Sequence, residues 1–212
     1  MALAHVKART IFRVHLACIA MLGATYLVAP SHHAFDLDGE GNVPTWFSSA
    51  GLLACGALAF LLRRRARGLT AFAFLLSAAA VDEVGMFHER AAAWLLEHRG
   101  DVPPIAVWLL GAVLAAALAA TLVPMLRRLP PAVRTRLVVS GVVFVVSAVG
   151  VETLGQAWAR RHGWHNAVYT LLVLLEECGE MLGAALCLRA LLAWREEATS
   201  CGSEEYARPP RS

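Results

Sequence analysis

A chain of 212 residues that is 58% apolar with a formal net charge of only +3 has too few polar residues to clothe a water-soluble domain. Its mean hydropathy of +0.57 points instead to a lipid-facing exterior. The five cysteines have no Cys-x-x-Cys spacing, which sets aside a disulfide framework. The chain also lacks Gly-x-Gly-x-x-Gly, Gly-x-x-x-x-Gly-Lys and Gly-x-Ser-x-Gly, the signatures of nucleotide loops and the serine elbow.

Six apolar blocks are long enough to cross roughly 30 Å of hydrocarbon at about 1.5 Å per residue. They cover about 11–29, 46–62, 69–87, 105–125, 137–158 and 166–188. The first follows Lys7, Arg9 and Arg13 as a signal peptide would. Its run exceeds a typical signal core, so it is expected to be a retained helix.

The loop after it reads Phe35-Asp36-Leu37-Asp38-Gly39-Glu40-Gly41-Asn42-Val43-Pro44. Asp36, Asp38, Glu40 and Asn42 place oxygens at alternate positions, as at the start of a calcium loop, although Phe47 stands where the closing glutamate belongs. The same pattern also predicts a tight acidic turn whose side chains bond the backbone before Pro44 starts a helix.

The third block places Asp82 about 20 Å along its helix, with Glu83 roughly 100° round from it. A helix continuing to Glu97 would put Asp82 and Glu89 on one face and His88 just above the acids, with Arg99-Gly100 and Pro103-Pro104 ending it. The fifth block carries Glu152, with Gln156 one turn above. The sixth carries Glu176 near its middle, Glu180 one turn deeper and Glu177 beside them. Gly179-x-x-x-Gly183 matches the spacing for close helix packing, but such pairs arise often by chance in a sequence so rich in alanine.

Of the 19 basic residues, fifteen fall at the N-terminus, in the second and fourth loops, and after the sixth block. The positive-inside rule then predicts an even number of spans with both termini cytoplasmic. Trp46, Trp108, Trp158, Trp164 and Trp194 fall near block ends, where an aromatic belt would lie. The expected fold is an all-α polytopic bundle of six transmembrane helices over residues 1–194, with 195–212 a disordered cytoplasmic tail. The arginine runs flank the membrane and suit anionic lipid better than nucleic acid. Six spans could also serve as half of a homo-oligomer.

Asp82, Glu83, Glu152, Glu176, Glu177 and Glu180 have no lysine or arginine at their depth. Ionised and unpaired, six such acids would cost on the order of 15–20 kcal/mol. Protons, cations or water must therefore stabilise them, and the sequence predicts a polar chamber shared by the third, fifth and sixth helices and open to the periplasmic side. Six histidines (His32, His33, His88, His98, His162 and His165) map to the same outer side. With Glu89 and the acids they make zinc, iron or manganese a candidate cofactor, with His88 the leading imidazole ligand.

Three functions are expected: a metal-dependent enzyme acting on a lipid or other amphiphile, a proton- or cation-coupled transporter, and an accessory membrane protein without catalysis. The enzyme reading lacks a Glu-x-x-His pair within a span. The transporter reading lacks an evident inverted repeat.

The segments Leu37-Asp38-Gly39-Glu40-Gly41-Asn42-Val43-Pro44-Thr45-Trp46-Phe47-Ser48, Val81-Asp82-Glu83 … His88-Glu89 and Leu175-Glu176-Glu177 … Glu180-Met181 resemble those of a group of small bacterial multi-pass inner-membrane proteins. The resemblance spans most of the second to sixth blocks. It implies a membrane fold and no established activity.

Overall fold

The computed structural model describes residues 7–29, 32–98 and 104–206. Among them every regular element is a helix. They are α1 (Ala8–Val28), a 3₁₀ turn (His33–Phe35), α2 (Val43–Leu61), α3 (Leu69–Gly85), α4 (Phe87–Glu97), α5 (Pro104–Arg127), α6 (Pro131–Val145), a π-helical segment (Val146–Val151), α7 (Glu152–His162) and α8 (Ala167–Tyr206). The chain divides into two compact units, residues 1–37 with 131–212, and residues 38–130.

Among the described residues three continuous helices are long and apolar enough to cross a membrane: α1, α2, and α6 running through the π segment into α7, Pro131–His162. Of α5, the apolar stretch Ala112–Arg127 is described as a shorter helix. Three acids interrupt the apolar run of α8, and α3 has only 17 residues. Large apolar side chains such as Met21 (61% exposed), Phe74 (67%) and Leu154 (62%) lie bare, as a lipid-facing surface requires.

The expected continuous helix from Leu69 to Glu97 does not form. Met86 adopts a left-handed conformation (φ 55°, ψ 33°), which stops α3 and starts α4. A bulky non-glycine residue rarely occupies that region. The break intervenes between Asp82 and Glu89, so the seven-residue spacing no longer places them on one helix face. His88 and Glu89 belong to the α4 backbone, and their side chains lie outside the described residues, as do Arg99, Gly100 and Pro103.

In the first unit α8 is the central post, touched by α1, α6, the π segment and α7. Its stretch from 181 to 194 buries Met181, Ala184, Ala185, Leu188, Leu191 and Trp194. Trp194 is thus a core residue rather than a member of an interfacial belt. On the α1 side a Cβ at Gly23 would stand 3.0 Å from Leu174 Cδ1 and 3.2 Å from Cys178 Sγ. Below this crossing the Ala8 amide, one of the unpaired donors that begin α1, donates to Glu196 Oε1 at 2.7 Å, an anion well placed at a helix N-terminus. The Arg189 guanidinium lies 4.7 Å from the Phe12 ring centroid, and Arg136 donates to Glu197 Oε1 at 3.2 Å. These contacts bind α1 and α6 to α8, whose helical backbone continues to Tyr206; residues 207–212 lie outside the described ones.

In the second unit α2 packs closely on α3 because small residues line the contact. Ser49 Oγ donates to the Ala80 carbonyl at 2.7 Å. A Cβ at Gly56 would fall 2.7 Å from Ser77 Oγ and 3.0 Å from the Ala73 carbonyl oxygen. Both contacts bring backbones within reach of each other, which is how helices associate where lipid removes the hydrophobic drive.

Candidate functional site

The acids of the first unit sit on helices whose register small residues fix. Gly155 of α7 lies against Leu172 of α8, with a built Cβ 3.7 Å from the Leu172 Cβ. Ser147 of the π segment fills the space where Gly179 lacks a side chain. At Gly183 a Cβ would fall 2.7 Å from Phe144 Cβ and 2.9 Å from its Cα and backbone nitrogen. The Gly179-x-x-x-Gly183 pair is therefore the point where α8 crosses α6 and the π segment. Its spacing was the visible signal, and its real role is packing.

These three contacts run antiparallel in step, 155 with 172, 147 with 179 and 144 with 183. The same register sets Glu152 level with Leu175, one residue short of Glu176. Glu152 shares the α8-facing stripe with buried Gly155 and Ala159, three and seven residues on. It is half-buried, and its Oε1 accepts from Gln156 Nε2 at 2.8 Å, as the one-turn spacing predicts. Thr153 bonds back to the Val149 carbonyl, which satisfies a carbonyl within the π turn.

On α8, Glu176 lies about 60° round the helix from Gly179, beside the α7-facing stripe, while Glu180 and Glu177 lie about 100° and 160° round. The opposite flank carries Leu171 and Leu175, 50% and 52% exposed. All three acids are half-buried and turned from the bare leucines, the orientation expected of intramembrane carboxylates.

The π segment directly before Glu152 has no counterpart in the sequence reading. Such wide turns are frequent at functional positions. In an uninterrupted helix from Phe144, residues 148 and 151 would face α8. The wide turn delays the register by one, so that Glu152 stands where Val151 would have been.

Asp82 and Glu83 belong to the second unit, half-buried in the last turn of α3. The Met86 amide donates to the Asp82 carbonyl at 2.7 Å, so the break is built on the acid's own backbone. Strained backbone of this kind concentrates at functional positions.

In the loop before α2, Asn42 caps the helix. Its Oδ1 accepts from the Thr45 amide at 3.2 Å and from the Thr45 hydroxyl at 3.1 Å, and its Nδ2 donates to the Gly39 carbonyl at 2.6 Å. The Thr45 hydroxyl also lies 3.3 Å from Glu40 Oε2, and Gly41 takes a positive φ of 71°. This is the tight-turn arrangement, with Asn42 saturated by the protein. Asp36 and Asp38 lie in the same loop, and both engage other groups.

The loop before α8 repeats the device. Asn166 Nδ2 donates to the Gly163 carbonyl at 2.7 Å, its Oδ1 accepts from the Tyr169 amide at 3.0 Å, and Gly163 has φ 84°. The shared Gly-x-x-Asn spacing before both helices could have been read from the sequence.

Three of the six histidines engage neighbours on their own segments. His162 stacks on Trp158 with ring centroids 3.9 Å apart, and His98 stacks on Trp94 at 4.6 Å. In each, the histidine Nδ1 lies against the tryptophan carbonyl one turn back. His32 lies against the Phe35 ring. Among the described residues no three His, Cys, Asp or Glu side chains are grouped to hold a metal ion. The expected metal centre is thus not assembled there, and the side chains of its leading candidates, His88 and Glu89, lie outside the described residues.

The chain belongs to the family described as a domain of unknown function (DUF8692). The match covers residues 8–194, nearly all of the helical core. No curated protein and no solved structure matches the chain. Family membership therefore fixes the extent of the unit without assigning chemistry to it.

Proposed function

We propose that the chain is a multi-pass inner-membrane protein that takes up protons or small cations at the α7–α8 crossing, with Glu152 and Glu176 as the paired acceptors. Glu180 and Glu177 continue the path toward the cytoplasm. The observation that carries this reading is the register bringing Glu152, directly after a π turn, within about one residue of the level of Glu176, which is turned from the bare leucines of α8. Two carboxylates at nearly one level in a low-dielectric crossing form a receptor for positive charge.

The same reading takes six spans, adding α3, α5 and the outer part of α8 to the three apolar helices, with both termini cytoplasmic. The arginine-rich loops support that orientation, and membrane lipid is the surrounding partner. Pairing of two copies would complete a path that one bundle leaves half-built.

The test uses the full chain in phosphatidylcholine–phosphatidylglycerol vesicles carrying a lumenal pH probe. An imposed proton, sodium or potassium gradient should drive flux in the wild type, and E152Q and E176Q should each abolish most of it. Folded wild type without flux under any of these gradients would overturn the proposal. One equivalent of zinc, iron or manganese in purified protein, lost in E176A, would instead favour a metal-dependent enzyme acting on a lipid.

A further inference from the structure

The inward end of the second unit carries an arginine cluster that the proton or cation site does not use. The turn joining α2 to α3 contains Arg63, Arg64, Arg65 and Arg67, and α5 ends at Arg127 with Arg128 following. Folding brings these two segments together. Gly68 takes φ 98° and lies so near α5 that a Cβ there would fall 2.8 Å from Met125 Cβ. Leu62, Ala66, Leu69, Met125 and Leu129 are buried around the contact.

Six arginines therefore share one end of the unit, and all but half-buried Arg63 are exposed. No Asp or Glu occurs between Glu40 and Asp82, or between Asp101 and Glu152, so neither segment brings an acid of its own. The helix start at Leu69 has no side-chain cap, which leaves the positive end of the α3 dipole directed to the same place.

Orientation in the membrane needs only a count of basic residues on one side. It does not need two loops packed until their charges converge. The cluster also adjoins bare hydrocarbon, with Phe60 42% and Leu61 65% exposed one turn away. The Arg63 guanidinium sits 4.1 Å from the Phe60 ring centroid and donates to the Phe60 carbonyl at 3.0 Å, which pins it at the edge of the apolar surface.

We propose that this end of the unit binds the headgroup of an anionic phospholipid bearing two phosphates, with its acyl chains lying on Phe60 and Leu61. Guanidinium forks match phosphate oxygens two at a time, and six of them exceed what a single phosphate can engage. The inference rests on the membrane placement of α2 and is independent of the acids on α7 and α8.

The experiment measures thermal unfolding of the full chain in phosphatidylcholine nanodiscs supplemented with cardiolipin. Parallel samples contain phosphatidylglycerol at equal total charge, or inorganic pyrophosphate in solution. Cardiolipin should raise the unfolding midpoint at a lower lipid fraction than phosphatidylglycerol does, and pyrophosphate should have little effect. R64Q/R128Q should weaken the cardiolipin effect roughly 25-fold, at about fivefold per arginine near a membrane surface. R9Q/R13Q, which removes the same charge from the other unit, should leave it intact.

R64K/R128K keeps the charge and loses the fork, so it should reduce the preference for cardiolipin over phosphatidylglycerol. Equal stabilisation by phosphatidylglycerol, an equal loss in R9Q/R13Q, or full replacement by pyrophosphate would each overturn the proposal.

Discussion

Replacing Gly183 by alanine adds one methyl group at a place where the opposing atoms cannot withdraw. The new Cβ would stand 2.7 Å from Phe144 Cβ and 2.9 Å from that residue's Cα and nitrogen. These atoms are fixed by the α6 backbone, so the two helices must part. In a helix interior the exchange of glycine for alanine gains about 1 kcal/mol of intrinsic propensity. Overpacking of this kind costs about 1–3 kcal/mol, more where backbone must move. The net expected result for G183A is a loss of up to about 2 kcal/mol.

Gly141 supplies the internal comparison. It lies on α6, and a Cβ there meets nothing within 4 Å, so G141A should stabilise by about 0.5–1 kcal/mol. Unfolding in mixed micelles of rising sodium dodecyl sulfate, followed by tryptophan fluorescence, reads both variants. F144A should not rescue G183A, because the obstructing Cβ and backbone remain. A G183A that matches G141A in stability would refute the α6–α8 crossing.

Other consequences follow from the caps, the start of α1 and the proposed orientation. N42A and N166A should each lower stability by about 1 kcal/mol, seen as a drop in thermal unfolding midpoint, while N42D should retain much of the cap through its carboxylate oxygen. E196A removes the acceptor for the Ala8 amide and should cost a few tenths of a kcal/mol, with hydrogen exchange faster in the first turn of α1 than elsewhere. In a cysteine-free background, H165C should react with an impermeant maleimide added outside intact cells. R134C should react only after permeabilisation, and the reverse pattern would invert the proposed topology.

The helices themselves were largely legible, because block length and the glycine-proline-arginine punctuation carry that information. The expected starts of the second, third and fourth blocks fall within about three residues of α2, α3 and α5, a normal margin for helix ends. The break at Met86 was not legible. Nothing in Val84-Gly85-Met86-Phe87 other than the glycine suggests a stop, and a left-handed methionine runs against its own local preference.

The π turn was hidden for a related reason. Val-Ser-Ala-Val-Gly-Val reads equally well as α-helix, and the contacts that flank the wider turn, Ser147 with Gly179 and Gly155 with Leu172, are between residues far apart in sequence. Of the candidate site, the acids and their helices could be found from hydropathy alone. Their grouping could not, since the sequence carries no record of which faces meet. Asn42 looked like a ligand because capping and cation binding draw on the same side-chain oxygens; the following Pro44 and Thr45 favoured the cap.

If the π turn exists to rotate Glu152 toward α8, removing one residue from it should have an unusual outcome. A deletion inside a packed helix ordinarily turns everything beyond it by about 100°, which misaligns the whole distal face. Within the segment Val146–Val151, deletion of Val149 instead removes the extra residue that the wide turn accommodates. The helix becomes continuous, Phe144 still meets Gly183, and the glutamate still takes the place on the α8-facing stripe that a continuous helix assigns to that position. The variant should therefore fold with an unfolding midpoint near that of wild type. Deletion of Ala157, in the regular part of α7, has no wide turn to absorb it nearby. It should carry Trp158 and Ala159 off the interface and break the 3.0 Å bond from Trp158 Nε1 to Asn166, with a large loss of stability. Equal damage from the two deletions would mean that the π turn does not set the register of Glu152, and the pairing of that acid with Glu176 would lose its structural basis.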